Sequence, residues 1–191
     1  MAKTYDLGSL PFTEGFNEKK FLEGASFYSS NPFHKSAQYF EKIITEVFID
    51  KVSAGIDIPN YPQFRDIQVF LEPIDGAAKV KGGYMQTSIL SLKKEKTVIP
   101  EVLAIKRNSK KISERIGESF KIRTCAVGPH TLSSFFIYRH SEIFSQLSDI
   151  ISQIVENSIF TEKNAGVSIF SLEEPLIGLL DDPLISYGSE G

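Results

Sequence analysis

Apolar positions along this chain alternate between short runs and longer helical stripes, the pattern of β/α units built on a parallel sheet. The first run, Thr4 to Leu7, is closed by Gly8-Ser9 and Pro11. From Ser36 onward, Phe40, Ile43, Ile44, Val47, Phe48 and Val52 recur at helical spacing and predict a helix ended by Gly55. Ile56 to Ile58 predicts a strand stopped by Pro59, and Gln63 to Glu72 a short helical segment. Asp75-Gly76 signals a turn, and Ala78 to Ile89 an extended excursion bent at Gly82-Gly83. Glu101 to Ile116 reads as one long helix with Val102, Ile105, Ile112 and Ile116 on one side. Phe120 to Val127 (FKIRTCAV) is a clear strand with Gly128-Pro129 at its end. Thr131 starts a helical region. Ser141 then caps a long helix whose stripe is Phe144, Leu147, Ile150, Ile151, Ile154 and Val155. Gly166 to Leu172 is the last strand, followed at once by Glu173-Glu174-Pro175.

This order predicts an α/β fold: a partial (β/α)8 TIM-type barrel with parallel strands and about five β/α units, the excursion at 78–89 lying outside the minimal unit. No linker, internal repeat or low-complexity tract divides the chain, so residues 1–191 read as a single domain with a loosely ordered tail at 181–191. An incomplete barrel would leave an open edge and bare apolar faces. The chain is then expected to be a fragment, one subunit of a split enzyme, or a half-barrel that associates with itself.

Composition and charge narrow the functions. The formal net charge is -3, and the basic clusters Lys93-Lys94-Lys96 and Lys106-Arg107-Lys110-Lys111 are short and interleaved with apolar or acidic residues. They read as solvated helix faces, and no nucleic-acid partner is expected. Cys125 is the one cysteine, which excludes an intrachain disulfide and fits a reducing compartment. Neither a signal peptide nor a membrane span is visible, so the expected location is the cytoplasm. No G-x-G-x-x-G after a strand, Walker loop or G-x-S-x-G elbow occurs.

In a parallel β/α fold functional residues collect at the C-terminal ends of the strands. Four places qualify: Gly8-Ser9, Asn60 to Asp66, Gly128-Pro129-His130-Thr131 and Glu173-Glu174-Pro175. Taken in order, Leu7-Gly8-Ser9-Leu10-Pro11, Tyr61-Pro62-Gln63-Phe64-Arg65-Asp66, Val127-Gly128-Pro129-His130-Thr131-Leu132 and Leu172-Glu173-Glu174-Pro175 resemble motifs of the cobalamin-independent methionine synthase catalytic domain. That family belongs to the methionine synthase and uroporphyrinogen decarboxylase-like barrel superfamily, and the resemblance is to the N-terminal part of its barrel.

The resemblance implies binding of homocysteine, or a similar thiol amino acid, for methyl transfer. By position Gly8 and Ser9 would hold the amino-acid end of the substrate, and Glu173 its amine. Read without the resemblance, Gly8-Ser9 is a strand-ending turn followed by a helix cap, and Glu173 a solvent-facing acid. Two departures stand out. The family's Gly-Glu after its second strand is replaced near Tyr61-Pro62. Asp66, the nearest acid, is expected to pair with Arg65 or cap a helix.

The family's zinc ligands, a His-x-Cys pair, a glutamate and a second cysteine, are also missing. His34, His130, His140 and Cys125 have no ligand spacing, and Cys125 reads as a buried inert thiol. His130 reads as a turn residue near the cleft, His34 and His140 as surface or capping residues. No catalytic residue and no metal site are therefore expected in this chain alone. The methyl donor, a folate or a corrinoid protein, stays open, as does a homo-oligomer or a complementary half-barrel subunit.

Overall fold

Prolines and glycines crowd the extended segments of the N-terminal third, and this decides how much sheet forms there. Pro59 and Pro62 lack the N–H a ladder needs, and Gly8 and Pro11 stop the first segment after a few residues. In a computed structural model of the chain, describing residues 3–177, these segments make only isolated parallel bridges, Tyr5 with Ile58, Ser9 with Gln63 and Asn60 with Arg123. The tail expected at 181–191 lies outside the described residues.

The described elements are α1 (Glu18–Phe27), α2 (Lys35–Ser53), a 3-10 turn (Ile67–Leu71), β1 (Ile74–Val80), β2 (Gly83–Leu92), α3 (Pro100–Arg107), α4 (Ser109–Ile116), β3 (Phe120–Val127), α5 (Pro129–Ser133), α6 (Ser141–Ser158) and β4 (Ala165–Glu173). The strands form two two-stranded sheets, β1 with β2 and β3 with β4. The first pair is antiparallel. The second is parallel: Phe120 N donates to Asn164 O near the start of both strands and Gly128 N to Glu173 O near their ends. The expected partial (β/α)8 barrel of about five parallel units is therefore not formed. Its first two strands are single bridges, and two of the four strands are an antiparallel hairpin.

The chain divides into two compact units. The first comprises the residues up to Arg65, Val98–Thr124 and Asn157–Ser171; the second comprises Asp66–Thr97, Cys125–Glu156 and the residues from Leu172.

The first unit is built on α1 and α2. His34 caps α2 through Nδ1, which accepts from Ser36 N at 3.3 Å, and Gly55 beyond its end takes φ +89. Phe21, Tyr28, Phe40, Ile44 and Phe48 are fully buried. Gly24 lets the two helices touch: a Cβ there would lie 2.1 Å from Ser36 O. α3 and α4 add Ile105 and Ile112 to this core. The single helix expected over 101–116 is broken at Asn108, whose side chain donates back to Ala104 O at 3.0 Å. Arg65 meets Glu101 of α3 in a two-point ion pair, Nε to Oε1 at 2.7 Å and Nη2 to Oε2 at 2.9 Å. Both side chains are buried, 8% and 2% exposed.

The second unit centres on α6 and the hairpin. Ile143, Leu147, Ile150, Ile151 and Ile154 form the buried stripe of α6, with Leu71, Leu90, Leu132 and Phe136 also in the core. Gln146 pins α6 to β2, its Oε1 accepting from Leu90 N at 2.6 Å and Gln86 Nε2 at 3.0 Å. The excursion expected at 78–89 is this hairpin. Its reversal falls at Lys81-Gly82, with Gly82 at φ +95 in the position a type II turn reserves for glycine. Asp75-Gly76, expected as a turn, is instead an irregularity within β1.

Candidate functional site

A buried cation interrupts the apolar run of β3, and the polar structure of the first unit gathers around it. Arg123 is 5% exposed. Its Nη1 donates to the carbonyls of Asp6 at 3.0 Å and Leu7 at 3.4 Å, its Nη2 to Ser171 Oγ at 2.7 Å, and its guanidinium lies over the Tyr5 ring at 5.6 Å. The planar fork of donors suits this, since it serves two consecutive carbonyls that have no strand partner.

Asn60, fully buried, works from the other side. Its Nδ2 donates to Leu7 O at 2.7 Å and its backbone N–H to Asp6 Oδ1 at 2.7 Å. The second oxygen of Asp6 accepts from Lys51 Nζ at 2.6 Å, and Lys51 also donates to Asn60 O at 3.2 Å. Lys51 is itself buried, so this charge-assisted pair has few competing waters.

All of this holds the residues on either side of Gly8. Gly8 sits at φ +98, and a Cβ there would meet Asn60 Nδ2 at 2.7 Å. Only glycine satisfies both the backbone and the approach. Gly8 O then accepts from Gln63 N at 2.9 Å, and Leu10 N donates to Gln63 O at 2.8 Å. Between these bonds Ser9 is exposed, so a fixed backbone presents a hydroxyl to solvent.

The second unit holds the other two strand-end motifs. Gly128 N donates to Glu173 O at 2.9 Å. The acid that engages the Gly-Pro-His-Thr turn is the next one, Glu174, whose carboxylate accepts from His130 N at 3.0 Å and Thr131 N at 2.7 Å. Gly128 makes room for it, since a Cβ there would lie 2.1 Å from Glu174 Oε1. His130 is 3% exposed, and its Nε2 is buried with no hydrogen-bond partner among the described residues.

The expected site residues fall as follows. Gly8 and Ser9 belong to the first unit and Glu173 to the second. Asp66 caps the 3-10 turn, accepting from Gln68 N at 2.9 Å, while Arg65 takes Glu101. Cys125 is buried in β3. Sequence reading missed Asp6, Lys51 and Arg123, and it reached Asn60 and Glu174 only as members of strand-end stretches, with no role of their own. Arg123 carried a signal, being a charge in the middle of a mostly apolar strand. Asn60 and Lys51 carried none, because their importance depends on what the fold brings beside them.

Among the described residues no three His, Cys, Asp or Glu side chains group so as to hold a metal ion. No described helix is long and apolar enough to cross a membrane. No family model matches the chain, and no curated protein matches it either.

Proposed function

We propose that the chain is a binding module for a small thiol or thioether amino acid of the homocysteine type, with Gly8 and Ser9 as its contact for the amino-acid end. The observation that carries this is the construction around Gly8. Two buried cations, a buried asparagine and a carboxylate are spent on fixing a short loop whose one exposed polar side chain is Ser9. Packing alone needs no such arrangement, because ordering buried charges is costly unless their geometry serves something. The ordered strand-end motifs supply the ligand class.

In this reading methyl transfer needs a complementary subunit, with a folate or a corrinoid protein as donor, and the module works in the cytoplasm. Isothermal titration of the full chain with homocysteine tests it. Saturable binding is expected, weakened about fivefold in Ser9→Ala, the effect of one lost hydrogen bond. Absence of heat with homocysteine at millimolar concentration removes the reading. Glu173→Gln is a separate test of whether that acid receives the amine, and unchanged affinity in that variant takes Glu173 out of the assignment.

A second reading, a self-associating non-catalytic subunit, is favoured by Met85, Ile89, Ile137 and Tyr138 of the second unit, all exposed and apolar. Sedimentation showing a monomer at micromolar concentration removes it.

A further inference from the structure

Between α2 and α4 the first unit holds a cavity of about 270 Å³. From α2 it is lined by Gln38, Glu41, Thr45 and Ile49, which recur at three- and four-residue spacing and so share one face of the helix. Lys51, two residues past Ile49, lies on the opposite face and serves Asp6. From α4 the lining is Ile112, fully buried, flanked by Lys111 and Arg115. Ile49 and Ile112 supply the apolar part, and the rest is polar or charged.

The charges around this cavity do not cancel. Lys42 and Glu46, also in its wall, pair with each other at 4.0 Å. Glu41 accepts from the Tyr28 hydroxyl through Oε2, which leaves Oε1 without a partner among the described residues. On α4 the acid lies outside the lining, where Glu114 pairs with Lys110 at 3.8 Å. Lys111 and Arg115 remain, both exposed and with no ion-pair partner among the described residues. They stand one turn apart, a spacing at which like charges repel. Lys111 is also in the first turn of α4, where the helix dipole disfavours a cation. A bound anion offsets both costs.

We propose that this cavity binds a small hydroxylated phosphate monoester, its phosphoryl group between Lys111 and Arg115 and its hydroxyls toward Glu41 and Gln38. A dianion answers two cations, and the guanidinium fork of Arg115 matches phosphate oxygens two at a time. Glu41 accepts and does not donate, so it selects a ligand group that carries a hydrogen. The volume falls just short of the roughly 300 Å³ at which common ligand pockets begin, which confines the ligand to a few carbon atoms. Ile49 and Ile112 cover those carbons. None of these residues holds the Gly8–Ser9 loop, so the proposal stands apart from the amino-acid reading.

Proton–nitrogen correlation spectra of the full chain test it, titrated at constant ionic strength with glycerol phosphate, methyl phosphate and glycerate. Glycerol phosphate should give saturable shifts centred on amides of α4 and of the facing stretch of α2. It should bind several-fold more tightly than methyl phosphate, which lacks the hydroxyls, and glycerate, which lacks the phosphoryl group. Lys111→Gln and Arg115→Gln should each weaken it about tenfold, the effect of one charge-assisted hydrogen bond. Lys110→Gln changes the net charge equally but outside the cavity, and should weaken it less than about twofold. Glu41→Gln should shrink the preference over methyl phosphate. Absence of saturable shifts at millimolar glycerol phosphate overturns the proposal. So does an equal loss in Lys110→Gln and Lys111→Gln, which marks a general attraction to a basic helix. Methyl phosphate or glycerate binding as tightly as glycerol phosphate overturns the assigned ligand. The comparison of ligands needs no variant, so a substitution that fails to fold does not decide the matter.

Discussion

Single atoms set the limits on several positions. Gly24 is occupied to contact by Ser36 O and Phe40 Cβ, so Gly24→Ala must push α1 from α2. It is expected to cost about 1–3 kcal/mol in urea unfolding despite its gain in helix propensity. Glu101→Gln keeps the shape of the buried pair but strips its charge, leaving the Arg65 cation enclosed; the loss expected is about 3–5 kcal/mol, read from the same experiment.

Tyr28 gives a pH signature. Burial first, and then the hydrogen bond its hydroxyl donates to Glu41, raise its ionisation above the ordinary value of 10.0. A raised folded value favours the neutral hydroxyl, so its contribution is fully present below about pH 10. It is lost as pH rises, because the unfolded chain ionises first. Stability measured from pH 9 to 12 should therefore fall, and Tyr28→Phe should flatten that fall while lowering stability at neutral pH.

At the scale of elements, Gln146 is expected to govern how firmly the hairpin is held. Gln146→Ala removes the acceptor of Leu90 N, so the Leu90 amide should exchange with deuterium faster while amides in α2 keep their protection. Helices and strands with long uninterrupted periods were legible in the chain. α2, β3, α6 and β4 lie within a residue or two of where their apolar spacing puts them. α1 was not legible, since Gly24 breaks its apolar pattern for the sake of a close crossing that only the folded pair reveals. The barrel expectation failed for a related reason. Strand-like residues at 4–7 and 56–58 mark extended backbone, but a ladder also needs consecutive N–H groups on both sides, and the flanking prolines withhold them. Of the site, Gly8 and Ser9 were legible as a turn after an apolar run, whereas the groups that fix them come from α2, the 56–63 segment and β3.

For the whole molecule, the N-terminal segment is a structural member of the first unit. Asp6 is the carboxylate partner of the buried Lys51, and the carbonyls of Asp6 and Leu7 receive Arg123. Removing residues 1–9 would leave both cations enclosed with fewer partners. The truncated chain should lose several kcal/mol, enough to melt at a clearly lower temperature in calorimetry, with Asp6→Asn showing a smaller drop in the same direction.

Each of the two units is assembled from three separate stretches of chain. Made on a ribosome from one end to the other, neither can be finished early. Arg123 reaches Asp6 and Leu7 once β3 has emerged, but Ser171 arrives 48 residues later. At roughly 5–20 residues per second, that leaves the guanidinium waiting for seconds with part of its coordination unmade. Most of the polypeptide must be out before either core can close, so the nascent protein passes through a long interval with half-built apolar faces. Such a chain depends on chaperones during synthesis more than one whose domains are completed in turn.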